Sequence, residues 1–111
     1  MDKIATYEQY VLNILGDYTE IKYANLDASN FLIADKENRR YQVVTMGWDK
    51  DVFIHDCPIH LDIINDKIWI QQNNTELDLA EILVEKGVDR SEIVLGFLSP
   101  KLREYTDYAV V

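Results

Sequence analysis

The stretch that decides the fold is Ile59-His60-Leu61-Asp62-Ile63-Ile64-Asn65-Asp66-Lys67-Ile68-Trp69-Ile70. Apolar and polar residues alternate on both sides of Asn65-Asp66, the signature of two antiparallel strands joined by a tight turn. Asn and Asp tolerate the left-handed backbone that such a turn demands, although Asn-Gly would be a stronger signal. A turn there predicts the pairs Ile64 with Lys67, Ile63 with Ile68, Asp62 with Trp69, Leu61 with Ile70 and His60 with Gln71. Because side chains alternate along each strand, Leu61, Ile63, Ile68 and Ile70 share one face, and His60, Asp62, Trp69 and Gln71 share the other. The aliphatic face is core. The second face carries a histidine, a carboxylate, an indole and an amide, and is the first candidate for function.

Working back from this hairpin, Val52 to Ile64 is long enough to be a central strand, and Asp49-Lys50-Asp51 is the turn before it. Pro58 lies inside that strand and has no amide hydrogen for a ladder, so it marks a bulge or an unpaired edge position. In an unbroken strand His55 and Cys57 would face the core with Ile59. A bulge would reset the phase and bring His55 to the side of His60. Tyr41 to Trp48 is rich in strand formers and pairs with Phe31 to Ala34 across the polar Asp35-Lys36-Glu37-Asn38. Tyr23 to Asp27 has no clear period and reads as a connection. At the start, Ile4, Tyr7, Val11, Ile14, Leu15 and Tyr18 recur at helical spacing behind Asp2 as a cap.

Beyond the hairpin, Lys67 to Gln72 ends at Asn73-Asn74. Thr75 with Asp78 three residues on resembles a helix cap, with Leu79, Ala80, Leu83 and Val84 as the buried stripe and Gly87 as the stop. Asp89 and Glu92 form a second cap, with Val88 able to staple onto Ile93. Ile93 to Phe97 reads as a helical turn passing into an extended segment. Tyr105 to Val111 reads as a strand-like tail, docked so that Tyr108, Val110 and Val111 leave water. The expectation is a single α+β domain over 1–111. It comprises an antiparallel four-stranded meander with an N-terminal helix, and a C-terminal helix plus extended tail packed on one face.

Composition bounds function. The chain has 111 residues, 48% of them hydrophobic, enough for one core without staples. Neither a leader nor an apolar run of membrane-spanning length is visible, and the single cysteine, Cys57, suits a reducing cytoplasm. Twenty acidic against eleven basic side chains leave a formal charge of -9, which repels nucleic-acid backbones. Lys36, Arg39 and Arg40 are the nearest thing to a basic patch and read as a solvated loop. Strong direct nucleic-acid binding is not expected. The acidity suits docking onto a basic partner.

Gly47-Trp48-Asp49, His60-Leu61-Asp62-Ile63, Lys67-Ile68-Trp69-Ile70-Gln71, Thr75-Glu76, Ile93-Val94-Leu95-Gly96-Phe97 and Arg103-Glu104-Tyr105-Thr106 occur in one order along nearly the whole chain. In this the sequence resembles the XisI-like family, the fdxN-element excision controlling factors of cyanobacteria. Two departures stand out: the family's Asp-Gly before Thr-Glu is Asn73-Asn74 here, and its His-Pro-Pro is Leu98-Ser99-Pro100. The resemblance implies an α+β fold and a part in programmed DNA excision during heterocyst differentiation, beside a XisH-like partner and a site-specific recombinase. It implies no catalytic activity.

His60, Asp62, Trp69 and Gln71, joined by Tyr41 if the neighbouring register allows, form the candidate partner-binding face, for a XisH-like protein or for a second copy in a homo-oligomer. A competing class is a small enzyme or nuclease subunit using His60 and Asp62 as an oriented acid-base pair. A third is an acidic inhibitor covering the DNA groove of a basic nuclease-like partner. His55 and Cys57 on one strand do not complete a metal site, and a thiol beside Phe53 and Ile59 would be desolvated rather than activated. Gly16, Gly47, Gly87 and Gly96 are too scattered for a phosphate loop. No cofactor is expected.

Overall fold

Helix α1, Lys3–Thr19, starts where Asp2 accepts the Ile4 amide at 3.0 Å, and it buries Tyr7, Val11, Ile14 and Leu15. In the computed structural model, which describes Asp2 to Val111, it is followed by β1 (Asp27–Asp35), β2 (Arg40–Asp49), β3 (Val52–Ile64) and β4 (Lys67–Asn73). Then come α2 (Leu79–Lys86), a single 3-10 turn at Arg90–Glu92, β5 (Ile93–Leu95) and α3 (Pro100–Arg103). The strands lie in the order β1-β2-β3-β4-β5. Among the described residues no helix is long and apolar enough to cross a membrane.

The hairpin read from Ile59 to Ile70 forms at the predicted turn, with Asn65 and Asp66 both at positive φ. Leu61 pairs with Ile70 and Ile63 with Ile68, and all four are buried against α1 and α2. Deletion of one such side chain to Ala removes roughly 2–5 kcal/mol in comparable cores. The hairpin's far end departs from the expected register. His60 pairs with Gln72, not Gln71, because β4 carries one extra residue there. Pro58 sits in a bulge of β3: Val43 pairs with Ile59 and Thr45 with Asp56, leaving Cys57 and Pro58 opposite Val44. Lacking a donor, Pro58 still contributes its carbonyl, which accepts the Asn74 amide at 2.8 Å.

The four-stranded expectation is corrected to five. Ile68, Trp69 and Ile70 pair in parallel with Ile93, Val94 and Leu95, so β4, α2 and β5 make a crossover unit. A three-residue strand at a sheet edge has too few residues to show a period. Thr75 does not cap α2 either: Asp78 does, accepting from the Glu81 amide at 3.3 Å, while Thr75 is held by Asn73. The tail is not a strand. Ala109 donates its amide to Ile93 at 2.9 Å, but Tyr105, Val110 and Val111 remain exposed.

Three tyrosines tie distant segments together through carboxylates: Tyr7 with Glu92, Tyr41 with Glu8 and Tyr108 with Glu81. Burial, reinforced by these acceptors, raises Tyr7 and Tyr41 above the ordinary phenol range and pushes Tyr108 up to about 12. Between the unfolded phenol value of about 10 and these higher values the folded chain holds protons that the unfolded chain releases. Stability is therefore expected to hold up to about pH 10 and to fall above it. Urea melts across that range are the check, and Tyr41→Phe should blunt the fall; a flat profile would contradict the three bonds.

Candidate functional site

The two bulges decide what stands on the outer face, the side of the sheet away from α1 and α2. Register places His55 opposite Met46 and His60 opposite Gln42, so both histidines point outward. Of the two alternatives for Pro58, the bulge is the one that forms, and it brings His55 to the side of His60 where an unbroken strand would have turned it to the core. His55 is exposed and stacked on Phe53, with ring centroids 6.4 Å apart. Cys57 is half-buried, its Sγ 3.4 Å from Gln42 Oε1 and 3.3 Å from the Ile59 carbonyl, and burial pushes its thiol pKa up. A raised thiol pKa leaves less thiolate and a poorer nucleophile at neutral pH.

His60, Asp62, Trp69 and Gln71 do come together. Asp62 is only 2% exposed, yet it lies on the outer face, opposite Trp69. His60 Nε2 approaches one of its carboxylate oxygens at 2.8 Å, and Gln71 donates to the other at 3.2 Å. The Arg40 guanidinium stands 3.8 Å away. Against a carboxylate that only accepts, Nε2 is the donor of this bond. A hollow of about 230 Å³ beside the ring is lined by Ile33, Asp35, Arg40, Tyr41, Gln42 and His60. Among the described residues no three His, Cys, Asp or Glu side chains gather as a metal set.

Tyr41 does not join this face through its ring. It pairs with Leu61, so alternation turns it inward, where it is fully buried in the core below α1. Val43 is core for the same reason. Trp69 is half-buried rather than free, because the chain after β5 folds back across it. The Arg103 guanidinium sits 5.0 Å from the indole centroid and donates to the backbone oxygens of Leu95 at 3.3 Å and Val111 at 2.7 Å. Gly96 permits this return: a Cβ there would collide with Gln71 and lie 3.1 Å from the Trp69 ring.

The outer face therefore has two halves. The β4–β5 half is covered by the chain's own C-terminal segment, and its polar groups satisfy one another. The β1–β3 half is bare: Phe31, Ile33, Met46, Trp48 and Phe53 are between 39% and 51% exposed, around a buried Val44. Trp48 and Phe53 pack edge to face at 5.0 Å. Five large apolar side chains on one uncovered surface, roughly 500 Å² in total, form the kind of patch that marks an interaction site. Residue choice around the β2–β3 turn could have signalled it, since Trp48 and Phe53 stand two residues either side of Lys50-Asp51 and so share a face.

Comparison with known proteins agrees with this architecture. A sequence profile described as XisI protein matches residues 1–110. The crystal structure of a XisI-like protein from Anabaena variabilis ATCC 29413 superposes with a TM-score of 0.89 at 41% identity, over 96% of this chain and 98% of that one. The fdxN element excision controlling factor XisI from Anabaena variabilis ATCC 29413 superposes with a TM-score of 0.85 at 28% identity, over 99% and 100% of the two chains. No curated protein matches the sequence. With a profile match along almost its entire length and two such superpositions, the chain belongs to the XisI family.

Proposed function

We propose that this chain is a non-enzymatic control factor for excision of a DNA element, acting by docking a XisH-like protein on the bare half of its outer sheet face. The excision role rests on family membership and on the similarity to the excision controlling factor. The observation that carries the docking role is the uncovered cluster of Phe31, Ile33, Met46, Trp48 and Phe53. The His60–Asp62 network supports the face instead of contacting the partner, since Asp62 is shut off from solvent and its two oxygens are engaged. A formal charge of -9 selects a basic partner and speeds encounter.

The test is co-purification with the XisH-like protein, followed by titration. Buried aromatic anchors typically contribute 2 kcal/mol or more, so Trp48→Ala is expected to weaken the complex about 30-fold or more. His60→Ala should change affinity by less than about threefold. The reverse pattern, with His60→Ala abolishing function while Trp48→Ala is tolerated, would transfer the role to the polar pair and favour an enzyme. The net charge of -9 favours one further reading, an acidic cover for a basic DNA groove. A complex lost between low and high salt would support that reading, and a salt-insensitive complex would support apolar docking.

A further inference from the structure

We infer that β1 is a self-pairing edge: the Phe31-Leu32-Ile33-Ala34 run of one copy adds antiparallel to the same run of a second copy, extending the sheet to ten strands across a two-fold axis at Leu32. The argument begins with a mismatch between sequence and position. A strand that is apolar on both faces is the pattern of a strand buried inside a sheet. Yet β1 is an edge strand, with β2 on one side and, among the described residues, no strand on the other. Every residue from Phe31 to Arg40 is exposed. Leu32, which points to the helix side opposite Val43, is 40% exposed and stands outside the core cluster.

Edges that remain single are usually blunted by a bulge, a proline or a charge pointing inward. None interrupts β1 between Ala28 and Ala34, and its pairing with β2 is regular from Asp27 to Asp35. The unpaired side of this ladder is therefore a straight template for another strand.

Self-complementarity selects a second copy as the occupant. A two-fold axis normal to the sheet keeps each face with its own kind, so the residue on the axis sets all the pairs. With Leu32 on the axis, Leu32 meets Leu32 of the second copy, and Phe31 meets Ile33 twice on the outer face. Aromatic-aliphatic cross-strand pairs of this kind are favourable. The same operation sets Asp35 opposite Ser29, Lys36 opposite Ala28 and Glu37 opposite Asp27 of the second copy, so the apolar pairs at the centre, and not the charged ends, select this register. The net charge of -9 opposes approach at long range, so the joint acts at contact distance. The bare outer patches of the two copies then become continuous across the joint.

The edge shares Phe31 and Ile33 with the docking cluster, but its test is separate, because Leu32 lies on the opposite face from Trp48 and Phe53. Sedimentation at tens of micromolar is expected to give twice the 13.0 kDa chain mass. Leu32→Lys, a change at a half-exposed site, should shift it to the single-chain mass, whereas Phe53→Ser should leave the dimer intact. Should Leu32→Lys fail to fold by circular dichroism, Leu32→Cys combined with Cys57→Ser decides: mild oxidation should cross-link two chains through position 32. A wild-type chain that stays monomeric at 100 micromolar would overturn the inference. So would a dimer that survives Leu32→Lys but is lost with Phe53→Ser, or an absence of cross-linking at position 32.

Discussion

Gly47→Ala is expected to cost about 3–5 kcal/mol and to loosen β1 from the sheet. Gly47 sits at φ +154° in β2, directly opposite Ala28 of β1. A Cβ there would collide with the Asp27 carbonyl and the Ala28 Cα, and would lie 2.8 Å from the Ala28 Cβ. Most of these neighbours are backbone, which no rotamer change can move aside. The strands must separate or the backbone must leave its conformation, and both outcomes disrupt a nine-pair ladder. Urea melts give the size of the loss, and amide exchange in β1 shows where it falls. Gly16→Ala is the control, since nothing lies within 4 Å of its added carbon and helix propensity favours Ala by up to about 1 kcal/mol. If both substitutions behaved alike, close strand approach would not be what holds Gly47.

Arg103→Met is the second large effect, expected at about 2–4 kcal/mol. Arg103 is a buried cation with no Asp or Glu side chain paired to it among the described residues. It is held by the Leu95 and Val111 backbone oxygens and by the face of Trp69. Hydrogen bonds from a charged group contribute about 1.5–3 kcal/mol each, and a desolvated cation–π contact about 2. Met keeps the length and apolar stem of the side chain but donates to none of these acceptors. The segment from Gly96 to Val111 should then lift from the outer face and leave Trp69 open to water. Trp69 fluorescence in a Trp48→Phe background should shift to the red, and the C-terminal segment should become sensitive to proteolysis. Arg103→Lys should recover only part of the loss, because an ammonium lacks the planar fork that reaches two carbonyls while stacking. An unshifted emission maximum in Arg103→Met would show that the return across Trp69 is held by something else.

The same side chain shows where reading the sequence stops. Arg103-Glu104-Tyr105-Thr106 stands out as a family block, but nothing in its spacing says that a guanidinium will cross the sheet to cover an indole. The β3–β4 hairpin was legible because alternation is local and Asn65-Asp66 accepts positive φ. The bulge at Pro58 was legible as one of two alternatives, because a missing amide hydrogen is a property of the residue itself. The second bulge, in β4 at Gln71, carries no such mark. It is set by how far β3 and β4 stay in step after Leu61, and it puts Gln72 in place of Gln71 opposite His60.

Local chemistry, then, determined α1, α2, the order and turns of the meander, and the division of the hairpin into an aliphatic face and a polar one, since period and turn propensity act over a few residues. Tertiary structure alone decided that Tyr41 belongs to the core, that β5 adds in parallel after a crossover, and that the polar face is covered at one end and bare at the other. Those outcomes depend on register between strands and on where the C-terminal segment comes to rest, and contacts between residues far apart in the chain leave no period to read.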